Sequence, residues 1–134
     1  MIDRSLLTAR PIVWAPVIAW AGLVFALSDQ PDLRFLPDDA LDFVVRKLGH
    51  AGVFGILALL LWRAMATTTS QRPAWAWALV LTILYAITDE FHQGLVVGRH
   101  ASPVDVGVDA LGGLMAVATA GFLRAYRFRP GRGS

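Results

Sequence analysis

The chain has 134 residues, 56% of them hydrophobic, no cysteine and a formal net charge of +2, where ordinary soluble domains hold ~45–50% apolar residues. That length is one small domain, read here as a single unit over 1–134, and the lack of cysteine excludes disulfides, thiolate nucleophiles and sulfur-ligated metals from the chain itself. Its charges are swept out of four long apolar tracts, the distribution of a membrane protein rather than of a soluble fold.

The first tract covers 11–27 and follows Arg4 and Arg10. With Ala26-Leu27-Ser28 at its end it also has the outline of a secretory signal. The run is long for a signal core, which favours a retained helix, and cleavage there would be expected to leave the functional face unchanged. The loop that follows, 28–46, holds Pro31, Pro37 and an acidic cluster. Within it Asp38-Asp39-Ala40-Leu41-Asp42-Phe43 reads as a short amphipathic helix leading into the second tract.

The second tract covers 48–65, and its run Ile56-Leu57-Ala58-Leu59-Leu60-Leu61-Trp62 lacks the alternation of barrel strands. Thr67-Thr68-Thr69-Ser70 reads as a cap and turn, and Pro73 suits the first turn of the third helix, 74–91. The loop 94–103 has Gly94 and Gly98 as flexible points and is short enough to keep its flanking helices antiparallel neighbours. In the fourth helix, 104–123, Ser102 is expected as N-cap, Pro103 at the first position and Asp105 at the third, close to a capping box. Gly112, Gly113, Ala116 and Ala120 form a small-residue stripe along it, a candidate docking face for a second copy in a homo-oligomer.

Each tract is close to the ~20 residues that a helix needs to cross hydrocarbon. The expected fold is therefore all-α, a four-helix transmembrane bundle. Four crossings put both termini and the middle loop on one side, with Arg4, Arg10, Arg63, Arg72, Arg124, Arg127, Arg129 and Arg132 against Asp3. By the positive-inside rule that side is cytoplasmic, which gives a multi-pass membrane protein. The other nine acids face outward. Basic residues at helix ends and in the tail serve topology and anionic lipid, so membrane lipids are expected partners and nucleic acid is not.

The polar residues gather in the outer half. Lys47 and His50 lie three apart, Asp89 shares a helix face with Tyr85, His92 and Gln93, and Asp105 lies four from Asp109. Asp109 should sit about 9 Å inside the helix start, where an ionised carboxylate costs up to about 2.5–3.5 kcal/mol. It must face the bundle, with Lys47, Arg99 or His50 as partner, or else be protonated, and a carboxylate held beside a cation is equally what a catalytic site contains. The alternative is a structural network that pins the outer helix ends together. No firm metal-ligand spacing is present and no cofactor is called for, and neither Ser28 nor Ser102 stands in a nucleophile motif.

The series Thr88-Asp89-Glu90-Phe91-His92-Gln93, then Gly98-Arg99-His100-Ala101-Ser102-Pro103-Val104-Asp105, then Asp109-Ala110-Leu111-Gly112-Gly113 resembles the signature of the VanZ-like family of bacterial membrane proteins. Ser28 and Lys47-x-x-His50 match its upstream polar positions, whereas Phe54 stands where the family commonly has tyrosine and the middle loop is short. The resemblance implies a four-helix protein of the cell envelope, in a family named for a member linked to teicoplanin resistance. It carries over Lys47, His50, Glu90, Gln93, Arg99, Asp105 and Asp109 as site residues.

Three functions compete. In the first, an outward pocket built on Lys47, His50, Asp89, Glu90, Gln93, Arg99, Asp105 and Asp109 binds an anionic lipid headgroup, a lipid-linked wall precursor or a glycopeptide antibiotic. In the second, a membrane-embedded enzyme uses Glu90 or Asp109 as base and His50 as acid. In the third the cluster only welds the helices. Transport is disfavoured, because four crossings make a narrow bundle.

Overall fold

The computed structural model describes residues 4–31, 35–68 and 73–127, with side chains described over 12–31, 35–67 and 73–127. Asp3, Asp32, Arg34, Thr69, Ser70, Arg72, Arg129 and Arg132 lie outside these, as do the side chains of Arg4, Arg10 and Thr68. Four helices follow in order, α1 (Arg4–Ser28), α2 (Asp39–Thr68), α3 (Ala74–Gln93) and α4 (Pro103–Arg127), with no strand among the described residues. The fold is thus an all-α bundle. Helices α2, α3 and α4 are long and apolar enough to cross a bilayer, and the apolar part of α1 covers Ile12–Ser28.

Helix α2 differs from expectation at its start. The expected span 48–65 is only its apolar portion, and Asp38–Phe43 does not form a separate helix. The reason is local: Asp38 Oδ1 accepts the Leu41 N–H at 2.9 Å, an N-cap bond, and Asp39 and Asp42 stand in the first turn, where the helix dipole favours carboxylates. Asp42 is also buried, contrary to its place in an exposed acidic cluster. Its Oδ1 accepts the N–H groups of Phe35 and Leu36 at 2.7 and 2.9 Å, and its Oδ2 lies 3.0 Å from Arg46 Nε. One carboxylate thereby ties the incoming loop to the first turn of α2.

Two smaller expectations also change. Thr67 belongs to the last turn of α2, its hydroxyl donating to the carbonyls of Arg63 and Ala64. Pro73 precedes α3 in an extended conformation instead of sitting in its first turn.

Helix α2 is central, touching α1, α3 and α4, whereas among the described residues α1 makes no contact with α4. The interior is built largely from small residues: Ala58, Ala64, Ala78 and Ala86 are fully buried. Leu84, Phe91, Leu114, Met115 and Phe122 point outward. A soluble protein does the reverse; apolar exteriors over small-residue seams are what hydrocarbon solvent selects. Side chains tie α1 on, Trp20 Nε1 donating to Val53 O at 3.0 Å and the Tyr85 hydroxyl to Ala21 O at 2.6 Å.

The closest approach lies between α2 and α4. A Cβ on Gly112 would fall 2.1 Å from the Ala51 carbonyl oxygen, and one on Gly55 would fall 3.2 Å from Gly112 O and 3.4 Å from Ala116 Cβ. Gly113 packs against Thr82 and Ala58 in the same way. The stripe expected to dock a second copy is therefore consumed inside the chain at Gly112, Gly113 and Ala116. Gly112→Ala is expected to cost about 1–3 kcal/mol through overpacking, whereas Gly107→Ala, with nothing within 4 Å, should cost nothing. Thermal unfolding of the two variants in detergent micelles checks this, and equal stability would contradict the close seam.

Candidate functional site

A cavity of about 340 Å³ opens at the end of the bundle where α1 and α3 finish and α2 begins. Val24 and Leu27 of α1, with Val45, Val53 and Phe54 of α2, form apolar wall, and Phe35 and Pro31 close in from the loop. Ser28, Arg46, His50, Asp89 and Arg99 supply polar lining. Because α1 gives Val24, Leu27 and Ser28, loss of this helix by cleavage would remove part of the wall, and the functional face would not be unchanged.

Gln93 organises the polar side. Its side chain is buried, its Nε2 donates to Asp89 Oδ2 at 2.7 Å and to Ser28 Oγ at 3.3 Å, and its Oε1 accepts from Arg99 Nη2 at 2.6 Å. The turn that returns Arg99 to this place runs through Gly98, at φ 83°, a left-handed conformation natural only to glycine. Arg99 Nη1 further donates to the carbonyls of Ser28 and Gln30, each at 3.4 Å. The guanidinium is thus fixed by groups from α1, the first loop and α3.

Behind His50 stands Asp109, fully buried. His50 Nδ1 lies 3.4 Å from Asp109 Oδ1, a close electrostatic contact that is not aligned as a hydrogen bond, and neither Asp109 oxygen has a hydrogen-bond partner among the described residues. Of the three expected partners of Asp109, it is His50 that reaches it. Lys47 pairs with Asp105, its ammonium also lying 5.1 Å from the Phe43 ring centre. Arg99 belongs to the cavity on the other side.

Glu90 takes a role that was assigned to another residue. In a capping box the third helical residue reaches back to the N-cap N–H; here Glu90 Oε1, from α3, accepts the Ser102 N–H at 2.5 Å while Asp105 turns away to Lys47. The α3 carboxylate thus completes the cap of α4. Glu90, Gln93, Lys47, Asp105 and Asp109 stand outside the cavity lining, and His50, Asp89 and Arg99 stand in it. His92 leaves the face of Asp89, its Nε2 lying 3.2 Å from Asp29 Oδ1 and its ring packing on Phe25. Among the described residues no group of three or more His, Asp or Glu is arranged to hold a metal ion.

Residues 10–124 match the model of the VanZ/LLP1 family, a stretch that takes in parts of all four helices and every residue of the cavity lining. The chain belongs to the VanZ/LLP1 family. No curated protein and no solved structure matches it. This VanZ/LLP1 membrane protein carries the residues of the expected signature, and its geometry divides them into a cavity set and a set that joins α4 to α2 and α3. Arg46 and Asp42 were missed as contributors. Their i,i+4 spacing is that of a helix ion pair, but the signal has force only once α2 is known to begin at Asp39.

Removing the Glu90 acceptor leaves the Ser102 N–H without its charge-assisted partner, at a cost of about 1–3 kcal/mol. Glu90→Ala is therefore expected to speed hydrogen–deuterium exchange around Ser102, and Glu90→Gln, which keeps an acceptor, to do so less. Unchanged exchange in both variants would rule out this cap.

Proposed function

We propose that this VanZ/LLP1 protein is a multi-pass protein of the bacterial cytoplasmic membrane, with both termini in the cytoplasm, whose outward cavity binds the anionic headgroup of an envelope lipid. The observation that carries the reading is one cavity with an apolar wall (Val24, Leu27, Val53, Phe54) and a fixed guanidinium at Arg99. A wall of this kind holds the start of an acyl or isoprenoid chain, and a planar fork of N–H donors suits phosphate. Among the ligands the family context offers, a lipid-linked wall precursor fits better than a glycopeptide antibiotic. A cavity of about 340 Å³ is at the small end of drug-sized pockets and would take only a fragment of such an antibiotic. A part in teicoplanin-type resistance would then run through the envelope lipid rather than through capture of the drug.

A second reading has its own observation. Asp109 behind a cavity-lining His50 is the carboxylate–imidazole pairing that orients a general acid or base. Were the protein an enzyme acting on the bound headgroup, His50 and Asp109 would carry the proton transfer; Glu90, engaged by Ser102 and outside the cavity, would not.

Two measurements address these readings. Short-chain phosphatidylglycerol titrated into the detergent-solubilised protein should bind Arg99→Ala about 10- to 100-fold more weakly, the equivalent of one charge-assisted bond at ~1.5–3 kcal/mol. Leu48→Ala, exposed and outside the cavity, serves as control, and equal binding by wild type and Arg99→Ala sinks the lipid reading. For the orientation, the absence of native cysteine makes single-cysteine labelling clean. Val97→Cys in the exposed loop should react with a membrane-impermeant maleimide in spheroplasts, and Tyr126→Cys only after permeabilisation; the reverse pattern would invert the topology.

A further inference from the structure

The cavity holds an acid and a base that do not neutralise each other. Asp89 and Arg99 both line it, yet Gln93 stands between them, donating to Asp89 Oδ2 and accepting from Arg99 Nη2. A neutral amide satisfies one edge of each charged group and cancels neither charge. Asp89 is only 4% exposed, and its Oδ1 has no hydrogen-bond partner among the described residues. A buried carboxylate oxygen without a donor is costly, and a ligand that brings an N–H donor into the cavity would remove that cost. A purely anionic headgroup would meet Arg99 but would bring its charge toward this oxygen.

We propose that the headgroup is zwitterionic, a phosphodiester with a primary ammonium, its phosphate oxygens on Arg99 and its ammonium donating to Asp89 Oδ1. The assignment rests on the lipid-binding reading and replaces its anionic headgroup by a zwitterionic one. A primary ammonium is required because the oxygen needs an N–H donor, which a quaternary choline group lacks. Gln93 acts as a positioning residue that holds the acid and the base apart so that each meets its own end of the ligand.

The test compares dihexanoyl phosphatidylethanolamine, phosphatidylglycerol and phosphatidylcholine, with free O-phosphoethanolamine as a fourth arm, on the full chain in detergent. Phosphatidylethanolamine should bind about tenfold or more tightly than the other two lipids. Asp89→Asn should abolish that preference, its affinity for phosphatidylethanolamine no longer exceeding that for phosphatidylglycerol. Equal binding of phosphatidylethanolamine and phosphatidylglycerol by the wild type, which needs no variant to fold, overturns the zwitterion assignment and leaves lipid binding standing. So does a preference that survives in a folded Asp89→Asn. Binding of none of the lipids overturns both. Free phosphoethanolamine bound as tightly as its lipid would uphold the two contacts and remove the chain from the ligand.

Discussion

A carboxylate buried in a helical bundle has little water to turn to and few free backbone donors in its own helix, so its partners come from side chains and from other elements. That requirement organises this protein at one end. Asp42 draws the first loop onto α2 through two backbone N–H groups. Glu90 draws the start of α4 onto α3, Asp105 meets Lys47 of α2, and Asp109 faces His50. Each acid is a junction between two pieces of chain, and together they hold the helix ends around the cavity.

The remaining length of the bundle rests on a different interaction. Where large apolar side chains gain nothing by leaving a hydrocarbon solvent, helices associate by close contact of small residues. Gly112 against Ala51, Gly55 against Gly112 and Ala116, and Gly113 against Thr82 and Ala58 bring α4 nearly to backbone contact with α2. This seam sets the separation at which His50 can face Asp109. Packing of uncharged residues thus decides the geometry of the charged ones.

The polar residues consequently fall into two groups with different physical duties. Lys47–Asp105 and Glu90–Ser102 join helices, with Glu90 Oε2 buried and without a hydrogen-bond partner among the described residues. Asp89, Arg99 and His50 line the cavity, and Asp89 Oδ1 and both oxygens of Asp109 lack hydrogen-bond partners among the described residues. The joints between helices and the proposed binding thus fall on different residues of one motif.

Much of this was legible in the amino-acid order. Four apolar tracts and the exclusion of strands at Ile56–Trp62 follow from local composition, because tract length is measured against a fixed hydrocarbon thickness, and the series through Asp89, Arg99 and Asp109 carried the resemblance to the family. The N-cap at Asp38 was equally local, although the proline-bearing acidic loop beside it hid the true start of α2. Pairing was another matter. That Glu90 and not Asp105 would meet the Ser102 N–H, that Asp109 would face His50 while Arg99 turned to Gln93, and that the glycine stripe would be filled by α2 all depend on the rotation of each helix about its own axis. Periodicity names the face on which a residue lies, but only packing between helices decides which neighbour that face meets.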